Sequence, residues 1–257
     1  MVNRAEQGAY RRLLMGIVVA FTCQLGVIPP VARADTDTRL VYSRGAPNWL
    51  RAVGRLQVPG SKYSEGRRRH HREDCSATLV SRRATQKSHT IVTAWHCLEF
   101  YNDVSKPIIF TLPSDSGTEL VREAYRVADG GGMGADWAIL HLFHAVSQDA
   151  ASAVLIADGR ADPVRSIAMA GFSRDSGKGA DGKQLTFDAN CRITGQQRAT
   201  SDSNCWAFKG ASGGAVVQVS AAGTPVLSGV ISQGDGAGLS TYVPVNAFRS
   251  AINRHVK

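Results

Sequence analysis

Three side chains that lie far apart in the sequence have the residue types needed for nucleophilic catalysis by a hydroxyl. Ser212 lies in a Gly-Ala-Ser-Gly-Gly segment, His96 lies in an Ala-Trp-His-Cys segment, and Asp136 opens an apolar Asp-Trp-Ala-Ile-Leu run. A serine hydroxyl is a poor nucleophile at neutral pH, so it needs a base to take its proton and a carboxylate to orient that base. Together the three residues predict a serine-based catalytic triad.

The glycine-rich segment around Ser212 also offers donors for a developing negative charge. Glycines leave backbone N–H groups unobstructed by side chains, and we expect the amides of Gly210 and Ser212 to stabilise an oxyanion. His96 follows a predicted strand and Asp136 begins another. Because a carboxylate that enters a buried strand is costly without a partner, we expect Asp136 to pair with His96.

The elements that must bring these residues together read as short strands. From Ala52 onward, apolar runs rich in Val, Ile and Thr alternate with Gly, Ser, Asp and Pro clusters, a pattern typical of all-β proteins. The predicted strands cover residues 52–58, 75–80, 90–94, 108–112, 137–142, 166–171, 214–219, 226–232 and 241–245. At the C-terminus, Phe248, Ala251, Ile252 and Val256 fall at helical spacing and predict an amphipathic helix.

The first 34 residues have the three parts of an export signal. Arg4, Arg11 and Arg12 give a positive start, an apolar stretch covers residues 13–28, and Ala-Arg-Ala at residues 32–34 matches a cleavage site. A membrane anchor is the alternative, but the apolar stretch falls short of the roughly 18 to 20 residues that a spanning helix needs. We therefore expect a cleaved signal peptide, no stable membrane insertion afterwards, and a secreted or periplasmic protein.

The charge balance of the chain is basic, at +9 over 257 residues, and loss of the predicted signal would lower it to +6. The densest basic run, residues 67–72, lies among Gly and Ser without interleaved aromatic residues. That pattern favours a solvated loop over a nucleic-acid site. Hydrophobic residues make up 43% of the chain, enough for a packed core, which excludes a wholly disordered protein.

Four cysteines remain after the predicted cleavage: Cys75, Cys97, Cys191 and Cys205. An even number in an exported protein indicates disulfides, and three pairings are possible. The pairing of sequence neighbours closes two short loops, each of which would stabilise the fold by about 3 kcal/mol. A zinc site would need closely spaced Cys or His pairs, which the sequence lacks, and we expect neither a metal nor a cofactor.

The segments around His96, Asp136 and Ser212 resemble the three signature blocks of chymotrypsin-like serine proteases, in the same His, Asp, Ser order. The resemblance covers residues 48–257. The short loops and the stretch at residues 48–54 are similar to the bacterial secreted branch that includes glutamyl endopeptidases.

The family resemblance implies an all-β fold of two six-stranded Greek-key β-barrels. The first barrel, in residues 35–150, would carry the histidine and the aspartate, and the second, in residues 151–257, would carry the serine and the terminal helix. In peptide-bond hydrolysis through an acyl-enzyme, His96 would act as general base and then acid, while Asp136 orients it. A protein or peptide substrate would add as an extra strand beside residues 229–234.

The resemblance also implies a primary specificity pocket for the side chain before the scissile bond, with Ser232 in addition donating to the catalytic carboxylate. The pocket walls would be formed by Trp206, Ala207, Phe208, Ser232, Gln233, Gly234, Ser240 and Thr241. No acidic residue stands out at the base, because we place Asp235 on the rim. Cleavage after Lys or Arg is therefore not expected, and a small or apolar side chain is favoured.

Three positions depart from the family pattern. Trp95 replaces a small residue before the histidine, so the local packing must differ. Ala211 stands where many animal relatives have an aspartate that pairs with a newly cut N-terminus, so that activation switch should be missing. The segment Ile231-Ser232-Gln233 lacks the histidine of glutamyl endopeptidases, so a preference for glutamate is not supported.

Two other functions are alternatives to an active, monomeric endopeptidase. The Gly-x-Ser-x-Gly pattern around Ser212 also fits the nucleophile elbow of α/β-hydrolases, with Asp235 and His255 as the available partners. That fold needs a helix after the serine, where this sequence predicts a strand. The second alternative is a protease-like fold that has lost activity and binds a partner.

Overall fold

Fifteen strands run through the described part of the chain, which is residues 36–113 and 117–257 of a computed structural model. The predicted signal segment lies outside the described residues. The strands are β1 (Leu40–Val41), β2 (Val53–Ser64), β3 (Arg67–Ser81), β4 (Lys87–Thr93), β5 (Ile108–Leu112), β6 (Leu120–Asp129), β7 (Ala138–Ser147), β8 (Val154–Ile156), β9 (Ile167–Gly171), β10 (Thr186–Cys191), β11 (Ile193–Gln196), β12 (Ser201–Ser203), β13 (Ala215–Val219), β14 (Pro225–Gly234) and β15 (Ser240–Pro244). Short 3₁₀ helices cover Asn48–Ala52, Trp95–Leu98, Ala180–Gly182 and Val245–Phe248, and one α-helix, α1, covers Arg249–His255.

The first barrel is formed by β2 to β7. Hydrogen bonds join these strands in the order β3, β2, β5, β6, β7, β4, and the pairing of β4 with β3 closes the ring. All of these pairs are antiparallel. The barrel is filled by side chains with no solvent exposure, including Leu56, Val80, Ile91, Phe110 and Ile139. Closure leaves this barrel with no open sheet edge.

The second barrel is formed by β9 to β15. A single residue separates β10 from β11, and the two act as one bent strand, because β10 pairs with β9 and β11 pairs with β12. The ring then runs β9, β13, β14, β15, β12 and back through β11 and β10. The prediction of an all-β fold with two six-stranded barrels is therefore confirmed. β8 pairs in parallel with both β3 and β14 and so connects the barrels, while their predicted boundary at residue 150 stays a prediction.

The basic run predicted as a loop lies in a strand instead. β2 and β3 pair continuously from Val53 opposite Thr78 to Ser64 opposite Arg67, so residues 67–72 belong to a long hairpin. The hairpin turns at Glu65 and Gly66, which have φ values of +53° and +71°. Two positive values are what a tight two-residue turn requires, because they match the twist of the strands. The loop prediction was wrong, although the run is exposed apart from the half-buried His71.

The predicted C-terminal helix is confirmed in α1. Ile252 in the helix and the flanking residues Phe248 and Val256 are buried in a core cluster to which both barrels contribute. The ring of Phe248 stacks on Trp137, the residue after Asp136, with centroids 5.1 Å apart. In residues 36–113 and 117–257, no helix has the length and apolar character to cross a membrane.

Candidate active site

The ends of two neighbouring strands bring His96 and Asp136 together. β4 and β7 are antiparallel neighbours with Thr93 opposite Ala138, so the residues after β4 lie beside those before β7. His96 Nδ1 is 2.9 Å from Asp136 Oδ2. The backbone N–H of His96 donates to Asp136 Oδ1, also at 2.9 Å. Both carboxylate oxygens therefore hold the histidine.

The turn that delivers Asp136 to this position depends on a glycine. A Cβ added at Gly130 would lie 1.8 Å from the carbonyl oxygen of Ala135, which no side chain can tolerate. The N–H of Gly130 donates to the carbonyl oxygen of Trp137 at 3.0 Å. The close approach of the two backbone segments thus fixes the turn from which Asp136 reaches His96.

Asp136 is buried yet charged. Its side chain is 1% exposed, and the hydroxyl of Ser232 donates to Oδ2 at 2.5 Å. Burial alone would raise the pKa of Asp136, but hydrogen bonds from His96 and Ser232, with the attraction to His96, hold that pKa below its ordinary value. At neutral pH the carboxylate is therefore ionised and acts as a fixed acceptor.

Ser212 lies half-buried in the turn before β13, and its hydroxyl contacts Ser232, the residue whose hydroxyl holds Asp136. Ser212 Oγ donates to the carbonyl oxygen of Ser232 at 3.4 Å, while the Ser232 hydroxyl contacts Asp136. Among the described residues no hydrogen bond joins Ser212 Oγ to His96, so the hydroxyl must leave the Ser232 carbonyl before it can donate to the imidazole. Such loose contacts are common in active sites without substrate.

Two peptide planes orient the predicted oxyanion donors. The carbonyl before Gly210 accepts from the N–H of Arg174 at 2.7 Å, and the carbonyl before Ser212 accepts from the N–H of Gly214 at 2.9 Å. In a trans peptide the N–H points opposite to the C=O, so the N–H groups of Gly210 and Ser212 point away from these partners. Within residues 36–113 and 117–257 neither N–H has an acceptor, which leaves both available for a substrate oxygen.

Ser76 contacts both Gly210 and Ser212, the residues whose N–H groups are the predicted oxyanion donors. Its sequence surroundings carry no catalytic motif of their own. Its N–H donates to the carbonyl oxygen of Ser212 at 2.8 Å, and its Oγ donates to the carbonyl oxygen of Gly210 at 2.9 Å. Ser76 has no solvent exposure. Its place next to Cys75 was the one signal that the sequence offered.

Both disulfides join sequence neighbours. Cys75–Cys97 links β3 to the 3₁₀ helix that holds His96, and Cys191–Cys205 links the end of β10 to the segment before Trp206. In the described part of the chain, Cys75, Cys97 and His96 form a cluster at metal-ligand spacing. Thiolates are the metal-binding form of cysteine, and these two sulfurs are bonded to each other, so the cluster does not suit a metal.

The two main walls of the predicted specificity pocket are in contact. The carbonyl oxygen of Ala207 accepts from the N–H of Gly236 at 3.1 Å. A Cβ added at Gly234 would lie 2.2 Å from that same oxygen, and one at Gly236 would lie 2.7 Å from the ring of Phe208. Residues 206–208 and 234–236 therefore approach each other closely at these points, and the contacts require glycine at 234 and 236.

The other residues predicted for the pocket do not share one set of contacts. Ser240 Oγ donates to the carbonyl oxygen of Cys205, whereas Thr241 Oγ1 donates to Asp202, each at 2.7 Å. Successive strand residues face opposite sides, so Ser240 and Thr241 do not line one surface. Gln233 is exposed, and the N–H of Trp206 donates to Asp188.

A buried arginine supports the loop that leads into the active-site turn. Arg39 is 1% exposed and pairs with Asp37 and Asp175, each at 2.8 Å. Its guanidinium carbon lies 4.0 Å from the ring centroid of Phe208, a favourable cation–π contact. Phe208 precedes Gly210 by two residues, so the first described segment of the chain is connected to the turn.

The structure excludes the α/β-hydrolase alternative. The segment after Ser212 is strand β13 rather than a helix, and both barrels are antiparallel. Asp235 accepts hydrogen bonds from the N–H groups of Ala237 and Leu239 in its own loop, and His255 ends α1. Neither residue serves as a partner of Ser212.

Comparisons with known proteins agree with this architecture. A family profile described as trypsin matches residues 58–252. No curated protein sequence matches the chain. A solved structure described as a thermostable serine protease AL20 from an extremophilic microorganism aligns with a TM-score of 0.60 at 18% identity, covering 81% of this chain and 98% of that one. At that identity the structural likeness supports the fold alone.

Proposed function

The chain belongs to the trypsin family, and we propose that it is an exported serine endopeptidase with His96, Asp136 and Ser212 as its catalytic triad. Peptide hydrolysis follows from the family, while the triad and its mechanism are our assignment. One observation carries it: Ser232 contacts both Ser212, through its backbone carbonyl, and Asp136, through its hydroxyl, while Asp136 holds His96, beside two amides without an acceptor among the described residues.

The mechanism follows from where each proton can go. When His96 carries its proton on Nδ1, which faces Asp136, its Nε2 is free to accept the proton of Ser212. The hydroxyl oxygen then attacks the substrate carbonyl carbon, and the resulting oxyanion is held by the N–H groups of Gly210 and Ser212. Protonated His96 passes its proton to the leaving amine, and water repeats the sequence on the acyl-enzyme.

The close approach of residues 206–208 to residues 234–236 supports a small side chain before the scissile bond. The hydrogen bond between Ala207 and Gly236 joins the two segments that we assign to the pocket walls, which favours a small side chain over an aromatic or long basic one. The exposed strand end at Gln233 and Gly234 offers backbone groups to an extended substrate, in the manner of an added strand. We propose protein or peptide substrates cleaved after Gly, Ala or Ser.

The compartment and the family branch are also proposals. Two disulfides favour an oxidising environment, which agrees with the predicted export signal and a secreted or periplasmic location. We place the chain in the bacterial secreted branch on its short loops, without a preference for glutamate. We propose that it acts as a monomer and does not bind nucleic acid.

A fluorophosphonate probe tests the assignment, because it reacts with a serine only when that serine is activated by its neighbours. We expect stoichiometric labelling of the folded mature protein at Ser212. The Ser212→Ala variant should show no label and no hydrolysis of peptide libraries. A matched control is Ser152→Ala, which removes an exposed hydroxyl and should label fully.

A folded, secreted protein that takes up no probe would reject the catalytic assignment. That outcome would favour the remaining alternative, a protease-like fold that binds a partner without turning it over. Full peptidase activity in Ser212→Ala would equally reject the triad, because the hydroxyl that we assign as the nucleophile would not be needed for hydrolysis.

A further inference from the structure

We propose that Ser76 is a positioning residue that fixes the oxyanion-binding turn, an inference that rests on the catalytic function proposed above. The two amides assigned to the oxyanion belong to Gly210 and Ser212. Ser76 holds the carbonyl oxygens of these same two residues, one through its hydroxyl and one through its N–H. These carbonyls belong to the peptide planes that follow the two donor amides, so one buried residue anchors the chain directly after each donor.

The turn has local hydrogen bonds from the N–H of Ala211 to the carbonyl of Phe208 and from the N–H of Gly214 to the carbonyl of Ala211, but neither holds the carbonyl of Gly210 or of Ser212. Gly210 and Gly213 adopt φ values of +95° and +82°, which glycine reaches easily and also leaves easily. Between them, Ala211 offers a methyl group that cannot accept or donate a hydrogen bond. A side chain from another element is the alternative way to select one conformation of this turn.

The Ser76 hydroxyl is well suited to that role because its direction is fully determined. Its single proton goes to the carbonyl of Gly210, and its oxygen accepts the N–H of Phe172 at 2.8 Å. With no solvent exposure at Ser76, water does not compete for either contact. Loss of the hydroxyl would leave the Gly210 carbonyl and the Phe172 N–H without these partners.

Ser76 also connects the turn to the histidine side of the site. Its carbonyl oxygen accepts from Thr93 Oγ1 at 2.8 Å, at the end of the strand that leads to His96. The preceding residue, Cys75, is bonded to Cys97, which follows His96. The position of the nucleophile turn relative to the base is thus set at one point on β3.

The test compares Ser76→Ala with Ser88→Ala, using the active mature protein. Ser88 is a matched control, because its buried hydroxyl also donates to a backbone carbonyl, that of Val80, and accepts a backbone N–H, that of Thr90. It has no hydrogen bond to the active-site turn. Rates are normalised to the fraction that a fluorophosphonate probe labels, so incomplete folding does not affect the comparison.

We expect Ser76→Ala to lower kcat about 10- to 100-fold with KM nearly unchanged, somewhat less than the loss of a whole oxyanion donor. Affinity for a peptidyl boronic acid, whose adduct places an oxygen between the two amides, should fall by a similar factor. Affinity for the cleaved product peptide should not change. Ser88→Ala should lose stability without this kinetic signature.

Two results would overturn the role of Ser76. One is a kcat and a boronic-acid affinity within twofold of the wild type; the other is equal losses in both variants. Should Ser76→Ala yield no labelled protein, Ser76→Gly removes the same hydroxyl and decides the question on the same readouts. Absence of label in the wild type would instead reject the proposed function itself, which separates the two failures.

Discussion

At the scale of single residues, a substitution at Asp136 tests whether its carboxylate orients His96. Asp136→Asn keeps the side chain's shape, but its amide can donate where a carboxylate only accepts, which favours the wrong tautomer of His96. We expect kcat to fall by ~10⁴ with little change in KM, measured on protein whose folding is verified by thermal melting.

The control for this substitution is Asp129→Asn on the same hairpin. Asp129 pairs with Arg126 at 3.2 Å and has no contact with His96, so its variant should keep its turnover. A loss smaller than tenfold in Asp136→Asn would show that the carboxylate does not orient the base.

The residues that we propose as the triad could be chosen from the sequence, and the residues that hold them in place could not. Activation of a hydroxyl demands the residue types of His96, Asp136 and Ser212, and His96 Nδ1 lies 2.9 Å from Asp136 Oδ2. Ser76 and Arg39 have no such chemical requirement. Their partners include the carbonyls of Gly210 and Ser212 and the carboxylate of Asp175, far away in the chain, which only the folded arrangement reveals.

At the scale of elements, the two disulfides should contribute differently to activity. They close loops with sequence separations of 22 and 14 residues, for which loop entropy gives about 3 kcal/mol each. Only Cys75–Cys97 adjoins His96. We expect the double variant Cys75→Ala/Cys97→Ala to lower kcat severalfold at a temperature where it remains folded.

The internal comparison is the double variant Cys191→Ala/Cys205→Ala, which should lose similar stability in chemical denaturation. Because Cys205 precedes Trp206 rather than the triad, this variant should affect KM more than kcat. Equal kcat in the two double variants, after normalisation to labelled protein, would contradict a specific link between the first disulfide and His96.

Strands with a clear apolar pattern were predicted well, whereas strands held mainly by their neighbours were missed. β5 has the predicted bounds, Ile108–Leu112, because four of its five residues are buried. β6 was missed, since its exposed side chains include charged residues and its place comes from pairing with β5 and β7. The basic half of β3 was missed for the same reason, because its strand conformation comes from pairing with β2 and not from its composition.

At the scale of the whole molecule, the segment before the first barrel is attached to the second one. β1 pairs with β10, and Thr38 donates to Asp188 at 2.7 Å. Arg39 joins this segment to Asp175 and lies under Phe208. The stability of the second barrel and the support of the active-site loop therefore share one buried ion-pair network.

This network predicts how stability depends on pH. Burial alone would raise the pKa of Asp175, but hydrogen bonds from Arg39 and from the N–H of Gly179 lower it below its ordinary value. A lowered folded-state pKa stabilises the protein fully above the unfolded value of about 3.9, and that stabilisation is lost as pH falls through the folded-state pKa.

Asp175→Asn should therefore lower Tm at pH 7 and pH 5 by roughly 4 to 8 °C, since a charged hydrogen-bond partner is worth about 2 kcal/mol. The gap from the wild type should narrow by pH 3 in scanning calorimetry, while the exposed control Asp149→Asn follows the wild type throughout. A gap that stays constant from pH 7 to pH 3 would mean that the Asp175 charge does not stabilise the fold, and Arg39 would then act through packing on Phe208 alone.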